Sequence, residues 1–243
     1  LLISHFILQQ KLPKGILWKQ LMIYGLLNIS IYLGIYIVAM QHASAGIGSL
    51  AIATNPVFIS LISGIYLKEK ISWVTIISLI ICSAGIVLAA YPSLQTSYVT
   101  VTGLILLLIS MLSYSVSALY FSKKSWEGMH ILTINGWQTL FGGIFLIPLF
   151  FLTYDRNQNI FSSEMIGSVV WLSITVSIIA VQLWLYLLKD NPVRASFWLF
   201  LCPIFGFIIA AIILKEKITA HTFAGILLVL TGLYLVQKNK KKQ

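Results

Sequence analysis

Eight apolar stretches of about 20 residues, the length that crosses the hydrocarbon of a bilayer, account for most of this chain of 243 residues. They fall at 21–40, 46–67, 72–90, 99–121, 131–152, 166–188, 195–214 and 219–236. None carries Asp, Glu, Lys or Arg in its central region, as a cost of about 2.5 to 3.5 kcal/mol for a charge at a helix centre requires. Continuous runs of this length lack the alternation of barrel strands, so the spans are expected to be helices that close their own backbone hydrogen bonds. With 59% hydrophobic and only 9% charged residues, and a mean hydropathy of +0.95, there is too little polar surface to coat a globule in water.

Positive charge selects an orientation. If residues 9–20 face the cytoplasm, only Arg156, Lys215 and Lys217 of the 16 Lys and Arg residues lie on the far side, leaving 13 on the cytoplasmic side. The positive-inside rule then puts the C-terminus of this multi-pass chain in the cytoplasm. The net charge of +10 follows from that topology and calls for no nucleic-acid partner.

The chain also contains one passage twice. Asn55-Pro56-Val57-Phe58 and Leu67-Lys68-Glu69-Lys70-Ile71 recur as Cys202-Pro203-Ile204-Phe205 and Leu214-Lys215-Glu216-Lys217-Ile218, at a constant offset of 147. The offset holds from Ser30/Ser177 through Thr75/Thr222 and Gly85/Gly232 to Leu88/Leu235. An odd number of spans separates equivalent points, so Glu69 and Glu216 are expected on opposite membrane faces, in the inverted arrangement of carriers that work by alternating access. The same arithmetic places the start of the first copy near position −48, so Leu1 to Leu8 reads as the end of a further span.

A Pro within a span, then Pro-hydrophobic-Phe, then Leu-Lys-Glu-Lys at the span's end and a following span bearing Gly85 or Gly232, resembles the EamA-type repeat of the drug/metabolite transporter superfamily. The resemblance covers nearly the whole chain. It implies an all-α polytopic helical bundle of ten-helix, five-plus-five inverted-repeat architecture, of which eight complete helices and the end of another are present. The organisation expected is a first repeat at 1–90, lacking its first helix and most of its second, a second repeat at 99–237 and a basic cytoplasmic tail at 238–243. Members share a central substrate cavity and differ in cargo.

Within the spans, uncharged polar residues are the candidate substrate ligands, because a membrane helix must aim them at protein or water. Ser110, Ser113, Tyr114 and Ser117 make a stripe at helical spacing. Asn135, Gln138 and Thr139 do so on the next span, Gln182 and Tyr186 on the one after, and Asn28, Tyr32 and Tyr36 on the first. Asn55 and Trp198 precede the prolines Pro56 and Pro203, which free the carbonyls of Ile52 and Leu199 and are expected to bend their helices. The site therefore comprises Tyr32, Tyr36, Asn55, Ser113, Tyr114, Ser117, Asn135, Gln138, Gln182 and Trp198. Small hydroxyls also serve close helix packing, and aromatics are common in packing and at interfaces, so a structural role competes at those positions.

Cys82 and Cys202 lie in apolar runs and are expected to be small buried side chains rather than a disulfide. His5, His42, His130 and His221 are scattered near span ends without ligand partners, so no metal or cofactor is expected. Gly46-Ile47-Gly48-Ser49-Leu50-Ala51 fits a dinucleotide pattern by letter but opens a membrane span and follows no strand. No catalytic nucleophile with a partnered acid or base is visible, so the chain is not expected to be an enzyme. The leading expectation is a secondary transporter, an exporter, of a small neutral, zwitterionic or cationic metabolite such as an amino acid, with the lipid bilayer as its other partner and homodimerisation left open. The alternative is a non-transporting membrane scaffold or assembly subunit, which needs no cavity.

Overall fold

A computed structural model describes the chain apart from residues 2, 3, 5, 7, 8, 11, 44, 67, 69, 95–99, 154–161, 214–218 and 239–243. Glu69, Glu216, most of 1–8 and the tail beyond Lys238 thus lie outside the described residues. The elements formed are helices: α1 (Ile16–Met40), α2 (Ala45–Ile52), α3 (Asn55–Tyr66), α4 (Trp73–Leu94), α5 (Val101–Lys123), α6 (Ile131–Thr153), α7 (Ser163–Asp190), α8 (Pro192–Ser196), α9 (Leu201–Ile213) and α10 (Ala220–Lys238). Five described stretches are long and apolar enough to cross a membrane, and three shorter apolar ones accompany them at Trp73–Ala89, Pro192–Gly206 and Ala220–Val236. These eight coincide in place with the eight apolar runs of the sequence.

The helices begin in register with the repeat. Ile16, Ala45 and Trp73 open α1, α2 and α4, and Ser163, Pro192 and Ala220, each 147 residues on, open α7, α8 and α10. The caps repeat too. Ser72 accepts from the Thr75 amide at 3.1 Å, and Thr219 accepts from the Thr222 amide at 3.2 Å. In both, the hydroxyls of the two capping residues lie 3.0 Å apart, so one of the orphan amides at each helix start is satisfied in the same way.

Two departures from regular helix also recur at this offset. Leu26–Leu33 in the middle of α1 is π-helical, and so is Leu172–Ala180 in the middle of α7; adding 147 to Leu26 gives position 173. A π-helical turn carries one more residue than an α-turn and is frequent at functional sites. At Pro56, the expected bend is a break. The helix ends at Ile52, turns through Ala53 and Thr54, and restarts at Asn55 with Pro56 in its first turn, where the missing amide hydrogen costs nothing. In the second copy the tighter 3-10 segment Phe197–Phe200 precedes α9 and Pro203.

Equivalent helices α4 and α10 pack on each other through small residues. A side chain added at Gly85 would stand 2.7 Å from the Gly225 carbonyl oxygen, and one at Gly232 would stand 3.0 Å from the Ser78 carbonyl oxygen. Adding 147 to 85 gives 232, and subtracting 147 from 225 gives 78, so these two contacts are the same contact taken from either copy. Such reciprocity is the mark of a two-fold relation. The paired numbers have a constant sum (85 + 225 and 78 + 232 both give 310), so the two helices run antiparallel and the pseudo-two-fold lies across their axes.

Candidate functional site

Two groups of side chains meet where α1, α5, α6 and α7 converge. The first is a chain of amides. Ser117 on α5 lies 3.1 Å from Asn28 Oδ1 and 2.7 Å from the Tyr114 carbonyl oxygen, so its single hydrogen serves one of them at a time. Asn28 Nδ2, in the π-helical part of α1, donates to Gln138 Oε1 at 3.0 Å. Gln138 Nε2 donates to Asn135 Oδ1 at 2.9 Å, and Asn135 Nδ2 donates to the Ser177 carbonyl oxygen at 2.7 Å, inside the π-helical part of α7. All donors point one way along the chain, an arrangement in which each bond polarises the next.

Gln138 is fully buried, and Gly25 makes room for it: a side chain there would stand 2.5 Å from the Gln138 carbonyl oxygen. Ser30, the repeat equivalent of Ser177, donates to the Gly142 carbonyl oxygen at 2.8 Å. Helix α6 is therefore bonded to both π-helical segments. Ser113 adds a further tie by donating to the Leu27 carbonyl oxygen at 2.9 Å. Asn55, at the restart after the break, is buried; it donates to Met111 Sδ at 3.3 Å and accepts from Ser115 at 3.2 Å.

The second group is a row of rings. Tyr36 and Tyr32 on α1 have centroids 6.2 Å apart, Tyr32 and Tyr114 on α5 are 4.7 Å apart, and Tyr114 and Trp184 on α7 are 6.5 Å apart and stacked. Cys202 on α9 lies within electrostatic reach of Tyr32, Tyr36 and Tyr114. It is exposed rather than buried. The expectation that both cysteines are buried is thereby corrected: Cys82 is buried and Cys202 is exposed.

The candidates divide between these groups. Ser113, Ser117, Asn135 and Gln138 join the amide chain or its ties, and Tyr32, Tyr36 and Tyr114 join the rings. Gln182 has a buried side-chain oxygen without a hydrogen-bond partner. Its supposed stripe partner Tyr186 is 71% exposed, because the buried face of this part of α7 is centred on Leu185 and Leu188 and Tyr186 lies farther round the helix from it than Gln182 does. Trp198 is 44% exposed on the 3-10 segment and does not join the row of rings. Ser110 is spent on its own helix, donating to the Leu107 carbonyl oxygen at 2.8 Å, and Thr139 is exposed on α6. Sequence reasoning missed Trp184 and Cys202. The repeat held a signal for the latter, because position 202 is the counterpart of Asn55. Among the described residues there is no group of three or more His, Cys, Asp or Glu side chains that could hold a metal ion.

Apolar helices of membrane-crossing length, paired halves and a polar and aromatic junction between them define a polytopic membrane transporter. Residues 1–91 and 101–237 both match the EamA-like transporter family, and the chain belongs to that family. It is 29% identical over 94% of its length to an uncharacterized transporter of Archaeoglobus fulgidus, covering 82% of that protein. It is 27% identical over 93% of its length to Protein PecM of Dickeya dadantii, covering 75% of it. A chloroplastic WAT1-related protein of Arabidopsis thaliana is 25% identical over 93% of the chain, which covers 56% of that protein. One crystal structure superimposes with a TM-score of 0.77 at 15% identity, covering 96% of this chain and 81% of the other, a likeness of fold.

Proposed function

We propose that the chain is a secondary carrier, acting as an exporter, that moves a small neutral, zwitterionic or cationic metabolite such as an amino acid through the cleft beside Cys202. Its two repeats, 1–90 and 99–237, exchange conformations so that the cleft opens to one membrane face and then the other. The observation that carries this reading is the row Tyr36, Tyr32, Tyr114 and Trp184. It passes from the first repeat to the second, Cys202 lies within electrostatic reach of its three tyrosines, and no Lys, Arg, Asp or Glu belongs to it.

Cargo class follows from that chemistry. A phosphorylated or multiply anionic solute would lose its hydration and find no countercharge. Ring faces suit apolar and cationic groups, and Gln182, whose side-chain oxygen lacks a protein partner, can accept a hydrogen bond from an ammonium or hydroxyl group. Trp198 and the amides of Asn55, Asn135 and Gln138, with Ser113 and Ser117, shape the cleft and complete the site. The protein performs no covalent chemistry on its cargo, sits in a bacterial cytoplasmic membrane and keeps its C-terminus inside.

A scaffold reading has one observation in its favour, because the amide chain is already satisfied by protein and needs no cargo. Efflux from vesicles holding the purified full chain decides between them. Amino acids or organic cations are expected to leave faster than from empty vesicles. Transport of a sugar phosphate without either of these, or no transport of any, contradicts the carrier of this cargo class.

A further inference from the structure

A groove of about 1080 Å³ runs between α3 and α4, with Ser60 and Leu61 on one wall and Ile76, Ile80, Ser83 and Val87 on the other. Ile80 and Val87 are exposed, so in a membrane the groove opens away from the bundle. The four α4 positions recur 147 residues later as Phe223, Leu227, Leu230 and Tyr234 on α10, and all four of these are exposed. Their spacing of four, three and four residues is that of a coiled-coil seam. The same positions thus make a hollow in the first repeat, where Ser83 and Val87 are small, and a ridge in the second, where Leu230 and Tyr234 are large.

We propose that two copies of the chain dimerise by seating the α10 ridge of each in the α3/α4 groove of the other. Register carries the choice of occupant. Residues of α4 and α10 at one depth have numbers that sum to 310, as Gly85 with Gly225 and Ser78 with Gly232 do, and two copies related by a two-fold along the membrane normal share one depth in the bilayer. Ile76 then lies level with the partner's Tyr234, Ile80 with the partner's Leu230, Ser83 with the partner's Leu227 and Val87 with the partner's Phe223, so ridge meets groove without a vertical shift. Each copy gives a ridge and receives one, so the contact is isologous and closes at two. Groove and ridge both border the α4/α10 seam, and the interface continues the helix packing already made inside each chain. Ser60 adds a polar tie. Its hydroxyl is buried and has no hydrogen-bond partner, and a change of rotamer turns it to the groove. Six residues before the end of α3, it is level with Leu79, six residues after the start of α4. Side chains lean toward the N-terminus of their helix, so the partner's Tyr234 reaches from the depth of Ile76 toward that of Ser60, and its hydroxyl meets the serine. An acyl chain in the same groove would leave both hydroxyls unpaired, at a cost. The inference stands apart from the transport reading, since it requires only that the helices cross a membrane.

Cross-linking in membranes and molecule counting in dilute vesicles test it on the full chain. In a Cys202→Ser background, copies carrying Ile80→Cys co-expressed with copies carrying Leu230→Cys should form a covalent dimer on mild oxidation, and neither variant should do so alone. Counted in vesicles, the native chain is expected to be dimeric. Ser83→Trp, which fills the groove, and Leu230→Ala with Tyr234→Ala, which flattens the ridge, should each weaken association at least tenfold. Ser60→Ala and Tyr234→Phe should each weaken it about fivefold, with little further loss when combined, because both remove one hydrogen bond. Leu112→Ala, on the exposed face of α5, should leave association unchanged. A native chain that stays monomeric at every dilution, with or without a lipid retained, no covalent dimer from the co-expressed pair, or full association in both the filled and the flattened variants would each overturn the interface.

Discussion

The Cys82 thiol donates to the Val229 carbonyl oxygen at 3.6 Å, and the two residues stand 147 positions apart. That separation is the repeat offset, so Cys82 and Val229 are counterparts touching one another, which happens only on the axis that exchanges the halves. The contacts of Gly85 with Gly225 and of Gly232 with Ser78 flank this point in mirrored order. Close approach here depends on small residues, as it does in membrane helices generally, where van der Waals packing replaces the hydrophobic drive.

Enlarging that seam is therefore expected to weaken the fold. Gly85→Leu and Gly225→Leu each force side chain against backbone and should cost about 1 to 3 kcal/mol or more. Gly143→Leu and Gly206→Leu, where an added Cβ meets nothing within 4 Å, should stay near wild type. Thermal unfolding in detergent reads the difference as a lower Tm for the first pair alone, and equal losses in both pairs would count against the packing.

Breaking the amide chain should separate folding from transport. Gln138→Leu strands Asn28 Nδ2 and Asn135 Oδ1, and interhelical hydrogen bonds in membranes are worth about 0.6 to 2 kcal/mol each. Membrane insertion is expected to persist while transport falls about tenfold. In the double variant with Asn28→Leu the losses should be less than additive, because both changes remove the same link. Wild-type efflux from Gln138→Leu vesicles would remove the chain from the transport cycle.

Cargo contact at Gln182 has its own check. Gln182→Leu replaces the unpartnered oxygen with a group of similar size, so stability should hold or rise slightly, while the KM for a transported amino acid should rise about fivefold, the worth of roughly one hydrogen bond. An unchanged KM would take Gln182 out of the site.

The two thiols should respond differently to a water-soluble reagent. A charged methanethiosulfonate is expected to add once to the native protein, at Cys202, with Cys82 protected by its helix seam. Mass spectrometry of the intact chain should find one adduct, and none after Cys202→Ser. Two adducts, or none on the native chain, would contradict a watered cleft between the halves.

Spans and repeat are legible in the sequence because bilayer solvation acts on every residue: a run such as 99–121 either excludes charge or fails to insert. The site is less legible. Letters at helical spacing place Ser113 and Ser117 on one face of α5 and pair Gln182 with Tyr186 on α7, but the buried face there runs through Leu185 and Leu188, so Gln182 stays at its edge and Tyr186 turns out. The same limit applies to Cys202, a residue of a usually buried type within an apolar run, which is exposed on α9. Trp184 carries no polar spacing to mark it and is recognised only by its stacking on Tyr114.

Inversion of the two halves is the claim on which the proposed exchange depends, and one-sided labelling tests it most directly. In a Cys202→Ser background, Glu69→Cys and Glu216→Cys are introduced separately, and oriented vesicles are treated with a membrane-impermeant thiol reagent from one face at a time. Glu69→Cys should label only from the cytoplasmic face and Glu216→Cys only from the opposite face. Labelling of both from the same face would contradict the inverted arrangement and, with it, transport by exchange of the two repeats.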